Sequence, residues 1–281
     1  MLRIIVDGSA DMPDGWPETY QFEILPMPIQ IGNKTYYQGE DITHELFYEL
    51  VADDNNHPQS AAPSPTRIKD FVEKVSEAGD TILSINVSGK MSSTVEMVRE
   101  AAKELKDQFD MMVFDSEAGS AVLAFMAREA RLRKEAGASI EEIISRLKLI
   151  RDNVMVVMTL DSLEFARRSG RVGAISATLT SLLKIKPVVT LHNGVLDVSD
   201  MVRTRKKSLK RLIEKVKDQF GSQKLKVAIV HSQDQETAEI VKEMVDAALN
   251  TAETIFTELS ISVAANLGPK TVGIVALPDE L

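Results

Sequence analysis

The stretch of sequence that decides the fold runs Ile82-Leu83-Ser84-Ile85-Asn86-Val87-Ser88-Gly89-Lys90-Met91-Ser92-Ser93-Thr94. Its first six residues are mostly apolar and predict a buried β-strand. The apolar residues that follow are spaced as one face of a helix: Val95, Val98, Ala102, Leu105 and Phe109. A loop of small residues between a strand and a helix N-terminus can hold an anion, because the first helical turn presents unpaired N–H groups and the positive end of the helix dipole. Hydroxyl side chains add to those amides, so the loop predicts a site that binds a group rather than one that breaks it.

The order of apolar runs along the chain predicts an α/β protein with two domains. In residues 1–153, strands alternate with helices, a pattern typical of a largely parallel sheet flanked by helices. Residues 154–281 contain further strands and helices, including a helix near Ile175–Leu183. Phe22–Ile31 is interpreted as one extended segment broken by Pro26 and Pro28. We place the domain boundary near Asn153, which gives domains of residues 1–153 and 154–281.

Local signals predict where several helices begin. Thr43 has the chemistry of an N-cap, with Ile42 and Phe47 placed to pack against each other across it. Ser64-Pro65 combines an N-cap with proline at the first helical position. Ser139 and Glu142 have the spacing of a capping box.

Composition excludes several classes of function. The net charge of −9 argues against a general nucleic-acid binder, which needs an excess of Lys and Arg on its binding face. The absence of cysteine excludes disulfides, thiolate zinc sites and cysteine nucleophiles, and it suits a reducing cytoplasm. No apolar run is long enough to cross a bilayer, and the N-terminal residues resemble a first strand rather than a signal peptide. We therefore expect a cytoplasmic protein with no transmembrane segment.

Two polar segments outside the first loop have a functional and a structural interpretation. Asp7 follows the first predicted strand and could shape a binding rim or hold a metal with Asp11, but a turn that tightens the strand exit is favoured. The hydroxyl of Ser60 could donate to a bound anion, although local sequence alone favours a loop residue bound to water.

The first loop itself keeps two interpretations open. Ser93 and Glu96 have the capping-box spacing, which explains Ser93 as a structural residue. That interpretation leaves Ser88 and Ser92 without a role, so capping and ligand binding are both retained.

Basic residues form two islands in this acidic chain, Arg167–Arg171 and Arg203–Lys207, to which Lys184 and Lys186 could add. They predict either a docking surface for an acidic or phosphate-bearing partner or ordinary solvated helix faces. No catalytic motif accompanies the four histidines, and His231 is interpreted as part of a turn.

Several segments together resemble the DegV family of bacterial fatty-acid-binding proteins. Asp7–Asp11 is similar to the family's opening Asp-Ser-x-Ala-Asp, and residues 25–29 and 36–43 are similar to its second block. Ser60–Pro65 resembles a Thr-Ser-Gln-Pro-Ser-Pro loop, and Ser88–Thr94 resembles Ser-x-x-Leu-Ser-Gly-Thr. Residues 168–172, 183–187, 203–205 and 268–269 continue the series in order, so the resemblance spans nearly the whole chain.

The resemblance implies a two-domain α/β protein with a long-chain fatty acid held between the domains and no further cofactor or metal. It implies that the carboxylate is held by hydroxyls at Ser60 and Ser92, with Ser93 and Asn266 beside them. Family members act as acyl carriers, so it also implies an ATP-dependent kinase partner that phosphorylates the bound fatty acid for phospholipid synthesis. Arg171 matches the family residue implicated in the kinase encounter, and we add Arg203 and Arg205 to the predicted docking surface.

The chain departs from the family pattern at residues around the expected head group: Ala61, Ala62, Ser93, Ser169, Asn266 and Lys270. Asn266 stands where the family has a histidine, so it can donate a hydrogen bond but cannot carry charge. Two other functions stay open on sequence: a small hydrolase or phosphotransferase that uses Asp7, and a regulatory module that senses an acyl ligand.

Overall fold

The computed structural model describes residues 1–53, 56–173 and 185–281. The helix predicted near Ile175–Leu183 and the side chain of Lys184 lie outside the described residues. The strands are β1 (Leu2–Asp7), β2 (Phe22–Leu25), β3 (Pro28–Ile31), β4 (Lys34–Tyr37), β5 (Gln59–Ser60), β6 (Thr81–Asn86), β7 (Asp110–Asp115), β8 (Met155–Thr159), β9 (Val172–Gly173), β10 (Lys186–His192), β11 (Val195–Val202), β12 (Lys224–His231), β13 (Asn250–Glu258) and β14 (Val272–Pro278). The helices are α1 (Trp16–Thr19), α2 (His44–Val51), α3 (Pro65–Val75), α4 (Thr94–Leu105), α5 (Ala121–Glu135), α6 (Ile140–Asn153), α7 (Glu164–Ser169), α8 (Arg205–Phe220), α9 (Gln235–Ala248) and α10 (Ile261–Leu267).

A four-stranded parallel sheet in the order β2-β1-β6-β7 forms the N-terminal half, as the alternation of strands and helices predicts. Its two faces are covered by different helices, because α3 and α4 pack with Ile5 and Ile82, whereas α5 packs with Ile4 and Leu83. The parallel arrangement brings the carboxyl ends of β1, β6 and β7 to one edge, where binding residues of open α/β sheets collect.

The extended segment predicted over Phe22–Ile31 is broken at its prolines, as expected, and the break divides it into two strands that belong to two different sheets. β2 pairs with β1, whereas β3 pairs with β4 and β5 in a small antiparallel sheet. Pro26 and Pro28 flank the break. Proline has no N–H to donate to a strand ladder, which explains why the chain leaves one sheet there and enters the next.

A seven-stranded mixed sheet in the order β13-β12-β14-β8-β10-β11-β9 forms the C-terminal half. Its central strand β8 has both faces buried: Val156 and Met158 lie in the same apolar cluster as α5, whereas Met155 and Val157 pack with α8 and α9. The sequence reading missed β11, which pairs with β10 through the turn at Asn193-Gly194. It also missed the helices α7 and α10.

The predicted domain boundary falls between the end of α6 at Asn153 and the start of β8 at Met155. The largest apolar cluster nevertheless contains residues from both sheets, among them Ile4 and Leu123 from one half and Val189 and Val230 from the other. The halves therefore share a continuous apolar core, and the division into domains of residues 1–153 and 154–281 stays a prediction.

Helix starts follow the local sequence closely. The hydroxyl of Thr43 accepts from Leu46 N, that of Ser64 accepts from Arg67 N, and Ser139 and Glu142 form the predicted reciprocal capping box. The prediction that His231 is part of a turn is wrong, because it is the buried last residue of β12. Within the described ranges, no helix has the length and apolar character needed to cross a membrane.

Candidate functional site

An internal cavity lies between the parallel sheet and the seven-stranded sheet. The space between its walls, with the solvent at its mouth included, is about 750 Å³. Only about 90 Å³ of that space lies far enough from the walls to hold the centre of a water molecule, so the cavity is narrow. Ser92 is among the residues that line it.

Most of the cavity wall is apolar. Side chains from both halves of the molecule form it: Met27, Ala61, Val87, Met91, Val156, Met158, Leu191, Leu196, Val263 and Leu267. Five serine hydroxyls, Asn266 and Arg171 supply the polar part of the wall. A narrow apolar space with a few polar groups suits a ligand with a long apolar body and one polar end.

The loop after β6 carries Ser92, and several of its amides bond to other groups of the protein. Gly89 N–H donates to the carboxylate of Asp115, Lys90 N–H donates to Ser88 Oγ, and Ser92 N–H donates to the Ser88 carbonyl. These three N–H groups are therefore used within the protein and are not free to bind a ligand.

Ser93 does not cap α4 through its side chain, so the capping-box prediction is wrong. Its backbone angles are already near the helical region, and its side chain makes no capping hydrogen bond. Ser92 Oγ accepts instead from Thr94 N–H at 3.2 Å. Ser93 is exposed and lies outside the cavity wall, so its position does not support the predicted contact with a ligand.

Ser60 also lines the cavity and has a protein partner, contrary to the interpretation of a loop residue bound only to water. Asn266 Nδ2 donates to Ser60 Oγ at 2.9 Å and to the Ser262 carbonyl at 2.6 Å. These two bonds use both amide protons of Asn266. Asn266 therefore orients the Ser60 hydroxyl and has no proton left for a ligand.

Asp7 and Asp11 are buried behind two other serines of the cavity wall. Asp7 accepts from the backbone and hydroxyl of Ser9 and from Val87 N–H at 2.6 Å, which confirms the predicted turn. Asp11 accepts from the Ser120 hydroxyl and from Ser260 N–H at 2.7 Å. Burial raises the pKa of Asp7 despite these bonds, and it raises the pKa of Asp11 to about 6.

No group of three or more potential metal ligands occurs in the part of the chain that the structure describes.

The hydrogen bonds divide the five serines of the cavity wall into two groups. Ser9, Ser120 and Ser262 donate their protons to Asp7, Asp11 and the Gly8 carbonyl, respectively. Among the described residues, the hydroxyl of Ser60 accepts a bond and meets no acceptor for its own proton. Ser92 also accepts, and its proton is free whenever the neighbouring Thr94 hydroxyl is the donor in the bond between them. A carboxylate needs donors, so it is favoured at Ser60 and Ser92 and disfavoured beside the two buried acids.

The three predicted docking arginines occupy different environments. Arg171 is exposed and lines the cavity, so it lies at the mouth. Arg203 is exposed on the surface. Arg205 is partly buried, and its Nη2 donates to Asp234 at 2.8 Å and to the Lys270 carbonyl at 2.7 Å. Arg205 therefore already has an intramolecular role.

The β10–β11 hairpin closes one wall of the cavity. Leu191 and Leu196 pair across it and line the interior, while its turn contacts the loop after β6. Ser88 Oγ donates to the Gly194 carbonyl at 2.6 Å, and Lys90 Nζ donates to the Asn193 carbonyl at 2.7 Å. The loop that carries Ser92 is therefore fastened to the opposite half of the molecule.

Sequence reasoning missed Ser9, Ser120 and Ser262 as wall residues and missed the hairpin contact. A signal for Ser120 was present, because it stands between the predicted strand β7 and the helix that follows, at the same sheet edge as Ser92. Ser262 had no such signal, because α10 itself was not predicted.

Comparisons with known proteins agree with this architecture. The family model that matches the chain, over residues 1–279, is described as the uncharacterised DegV family. The protein DegV of Bacillus subtilis is 27% identical over 275 residues, which are 97% of this chain and 98% of that protein. The DegV domain-containing protein of Listeria innocua is likewise 27% identical, with 97% of each chain covered.

Solved structures extend the likeness to three dimensions. A fatty-acid-binding DegV family protein from Thermus thermophilus superposes with a TM-score of 0.89 at 26% identity, covering 99% of both chains. A fatty-acid-binding DegV family protein from Streptococcus agalactiae superposes with a TM-score of 0.85 at 25% identity, covering 100% of this chain and 99% of that one.

The fold and the site define a class: an α/β protein with a narrow apolar cavity between its two main sheets and serine hydroxyls at its wall. With the match over residues 1–279, the chain belongs to the DegV family.

Proposed function

We propose that this protein binds one long-chain fatty acid, with the acyl chain in the cavity and the carboxylate at Ser60 and Ser92. The observation that carries the proposal is the combination of a narrow apolar space and two wall serines, Ser60 and Ser92, whose hydroxyls accept hydrogen bonds from Asn266 and from Thr94 N–H. The solved relatives from Thermus thermophilus and Streptococcus agalactiae, which are described as fatty-acid-binding, support it.

Asn266 enters this proposal as a positioning residue. Its two amide protons are used by Ser60 and Ser262, so it fixes the Ser60 hydroxyl without touching the carboxylate. This role fits a neutral asparagine, because orienting a hydroxyl needs a donor and no charge.

Burial of the acyl chain supplies most of the binding free energy in this proposal. Each buried CH₂ contributes about 0.8 kcal/mol, so a sixteen-carbon chain gains on the order of 12 kcal/mol before the cost of association is subtracted. The carboxylate then has to be held in a defined orientation but does not have to supply much of the binding free energy. Neutral hydroxyls do this while leaving a carboxylate oxygen free to react, which a bidentate arginine clamp would not.

The free oxygen suits a protein that presents its ligand to an ATP-dependent kinase, which forms an acyl phosphate for lipid synthesis in the cytoplasm. The sequence contains no Gly-x-x-x-x-Gly-Lys-Ser/Thr loop, so we assign phosphoryl transfer to the partner and no catalysis to this chain. Arg171 at the cavity mouth and exposed Arg203 are the proposed docking residues. We assign Arg205 the task of holding that surface together through Asp234.

Extraction of the purified protein with organic solvent, followed by mass spectrometry, tests the proposal. We expect about one fatty acid per chain, and titration of the delipidated protein with palmitate or oleate should saturate at one site. Absence of any acyl species together with no binding of either added fatty acid would refute the proposed function.

A further inference from the structure

The hydroxyl of Thr94 has a role that neither capping nor core packing requires. Thr94 is the first residue of α4 and is fully buried. Its Oγ1 lies 2.8 Å from Ser92 Oγ, and this is the one hydrogen bond that the described residues give the Thr94 hydroxyl. A buried hydroxyl that meets a single polar partner must use that partner or lose a hydrogen bond.

The geometry leaves two arrangements of protons. A hydroxyl has one proton and two lone pairs, and one lone pair of Ser92 Oγ already accepts from Thr94 N–H at 3.2 Å. If the Thr94 hydroxyl donates to the second lone pair, the Ser92 proton must point away from Thr94, towards the cavity that Ser92 lines. If Ser92 donates to Thr94, no Ser92 proton remains for a ligand.

We propose that Thr94 is the positioning residue of the head-group site, and that a bound carboxylate selects the arrangement in which the hydroxyl and the N–H of Thr94 both donate to Ser92. The inference rests on the proposed function, since it needs an anionic head group at Ser92. In the selected arrangement, hydrogen bonds connect Thr94, at the N-terminal end of α4, through Ser92 Oγ to the carboxylate. Each bond polarises the next, and the positive end of the helix dipole acts on the anion through the serine.

This arrangement resembles the one at Ser60, where Asn266 donates and leaves the serine proton free. The two sides of the site differ in one respect. An amide nitrogen can only donate, so Asn266 fixes Ser60 permanently, whereas Thr94 can donate or accept and requires the ligand to decide. Thr94→Val should therefore weaken binding of an acid specifically, because valine has nearly the same shape and cannot donate.

The test compares palmitate with hexadecanol, which has the same chain and a neutral head group. We expect Thr94→Val to lower palmitate affinity about 3- to 10-fold, the value of one neutral hydrogen bond, and to leave hexadecanol affinity within about 2-fold. Thr94→Ser should restore palmitate binding. In a Ser92→Ala background, Thr94→Val should have no further effect on palmitate. Ser93→Ala, next to the site but exposed and outside the cavity wall, is the matched control and should bind both ligands as the wild type does.

Equal losses of palmitate and hexadecanol affinity in Thr94→Val, or additive effects of the Ser92 and Thr94 substitutions, would overturn the positioning role and show a packing role instead. Failure of Thr94→Ser to restore binding would also overturn it. These outcomes differ from failure of the proposed function, in which the wild-type protein itself binds no palmitate.

Discussion

Substitution of Gly194 by alanine tests the contact that fastens the β10–β11 hairpin to the loop carrying Ser92. Gly194 has a φ of +80°, and a Cβ there would lie 2.8 Å from Ser88 Oγ. Alanine therefore faces two separate costs. The left-handed backbone conformation costs about 1 kcal/mol, because a Cβ approaches the carbonyl oxygen. The Ser88 hydroxyl must also move, which breaks its 2.6 Å bond to the Gly194 carbonyl.

The second cost is substantial because Ser88 is fully buried. A buried hydroxyl that loses its acceptor costs about 1–3 kcal/mol, so Gly194→Ala should lower the free energy of unfolding by about 2–4 kcal/mol. Gly137 offers a matched control, since its φ is +86° and a Cβ there would meet nothing within 4 Å. Gly137→Ala should cost only the backbone part, about 1 kcal/mol.

Urea unfolding of the delipidated protein measures the loss of unfolding free energy in both variants. The loss follows from the shift of the urea midpoint when the dependence of the unfolding free energy on urea concentration is unchanged. The variant Ser88→Ala removes the atom that the new Cβ would meet. The double variant should therefore be more stable than the sum of the two single effects predicts, by at least about 1 kcal/mol. Equal destabilisation by Gly194→Ala and Gly137→Ala, or strict additivity in the double variant, would refute the reasoning.

Three further predictions concern the site and its surroundings. Ser92→Ala should lower palmitate affinity by about 10-fold, because a donor to an ionised group is lost, whereas Ser93→Ala should not; calorimetric titration measures both, and equal losses would contradict the assigned roles. Arg171→Glu should leave fatty-acid binding intact and impair phosphorylation of the bound acid by the partner kinase, measured as acyl phosphate formed; loss of lipid binding itself would place Arg171 among the head-group ligands. The free energy of unfolding of the Asp11→Asn variant should increase relative to that of the wild-type protein as pH rises from about 4 to 6.5. Burial raises the pKa of Asp11 to about 6, whereas an ordinary aspartate has a pKa near 4. The protonated form of Asp11 therefore stabilises the folded protein fully below about pH 4, and this stabilisation is lost as pH rises through about 6. The loss is about 3 kcal/mol, and asparagine, which does not titrate, cannot show it. Urea midpoints across that pH range measure the difference, and a constant gap between the two proteins would contradict it.

Local sequence predicted the features that depend on neighbouring residues. The N-caps at Thr43 and Ser64 and the capping box at Ser139 are each formed within four residues of chain, so side-chain type and spacing were sufficient to predict them. The parallel sheet was predictable for a related reason, because helices alternating with short apolar strands have few ways to pack. At the start of α4, two local interpretations applied to the same few residues, and the one based on a capping box was wrong. The capping box expected at Ser93 was replaced by a bond from Thr94 N–H to Ser92, since the backbone at Ser93 had already turned into the helix.

The candidate site was predicted in part. Ser60, Ser92, Arg171 and Asn266 were named from a resemblance to a family, and the structure brings them to the wall of one cavity. Which of them keep a proton for a ligand was not predictable, because that depends on hydrogen bonds between residues far apart in the chain. The bond from Asn266 to Ser60 spans 206 positions, for example, and the contact from Asp11 to Ser260 spans 249.

The amino-acid pattern was sufficient for the alternation of strands and helices in the N-terminal half, the edge of the parallel sheet where polar loops collect, and the family to which the chain is similar. The folded chain, and no local pattern, sets the hydrogen bonds of the wall serines: Ser9 and Ser120 donate to Asp7 and Asp11, whereas Ser60 accepts from Asn266. The physical reason is that periodicity and capping act between residues a few positions apart and leave a pattern in the sequence. The direction of a hydroxyl proton depends on which acceptor the folded chain brings within 3 Å, and no local pattern encodes that acceptor.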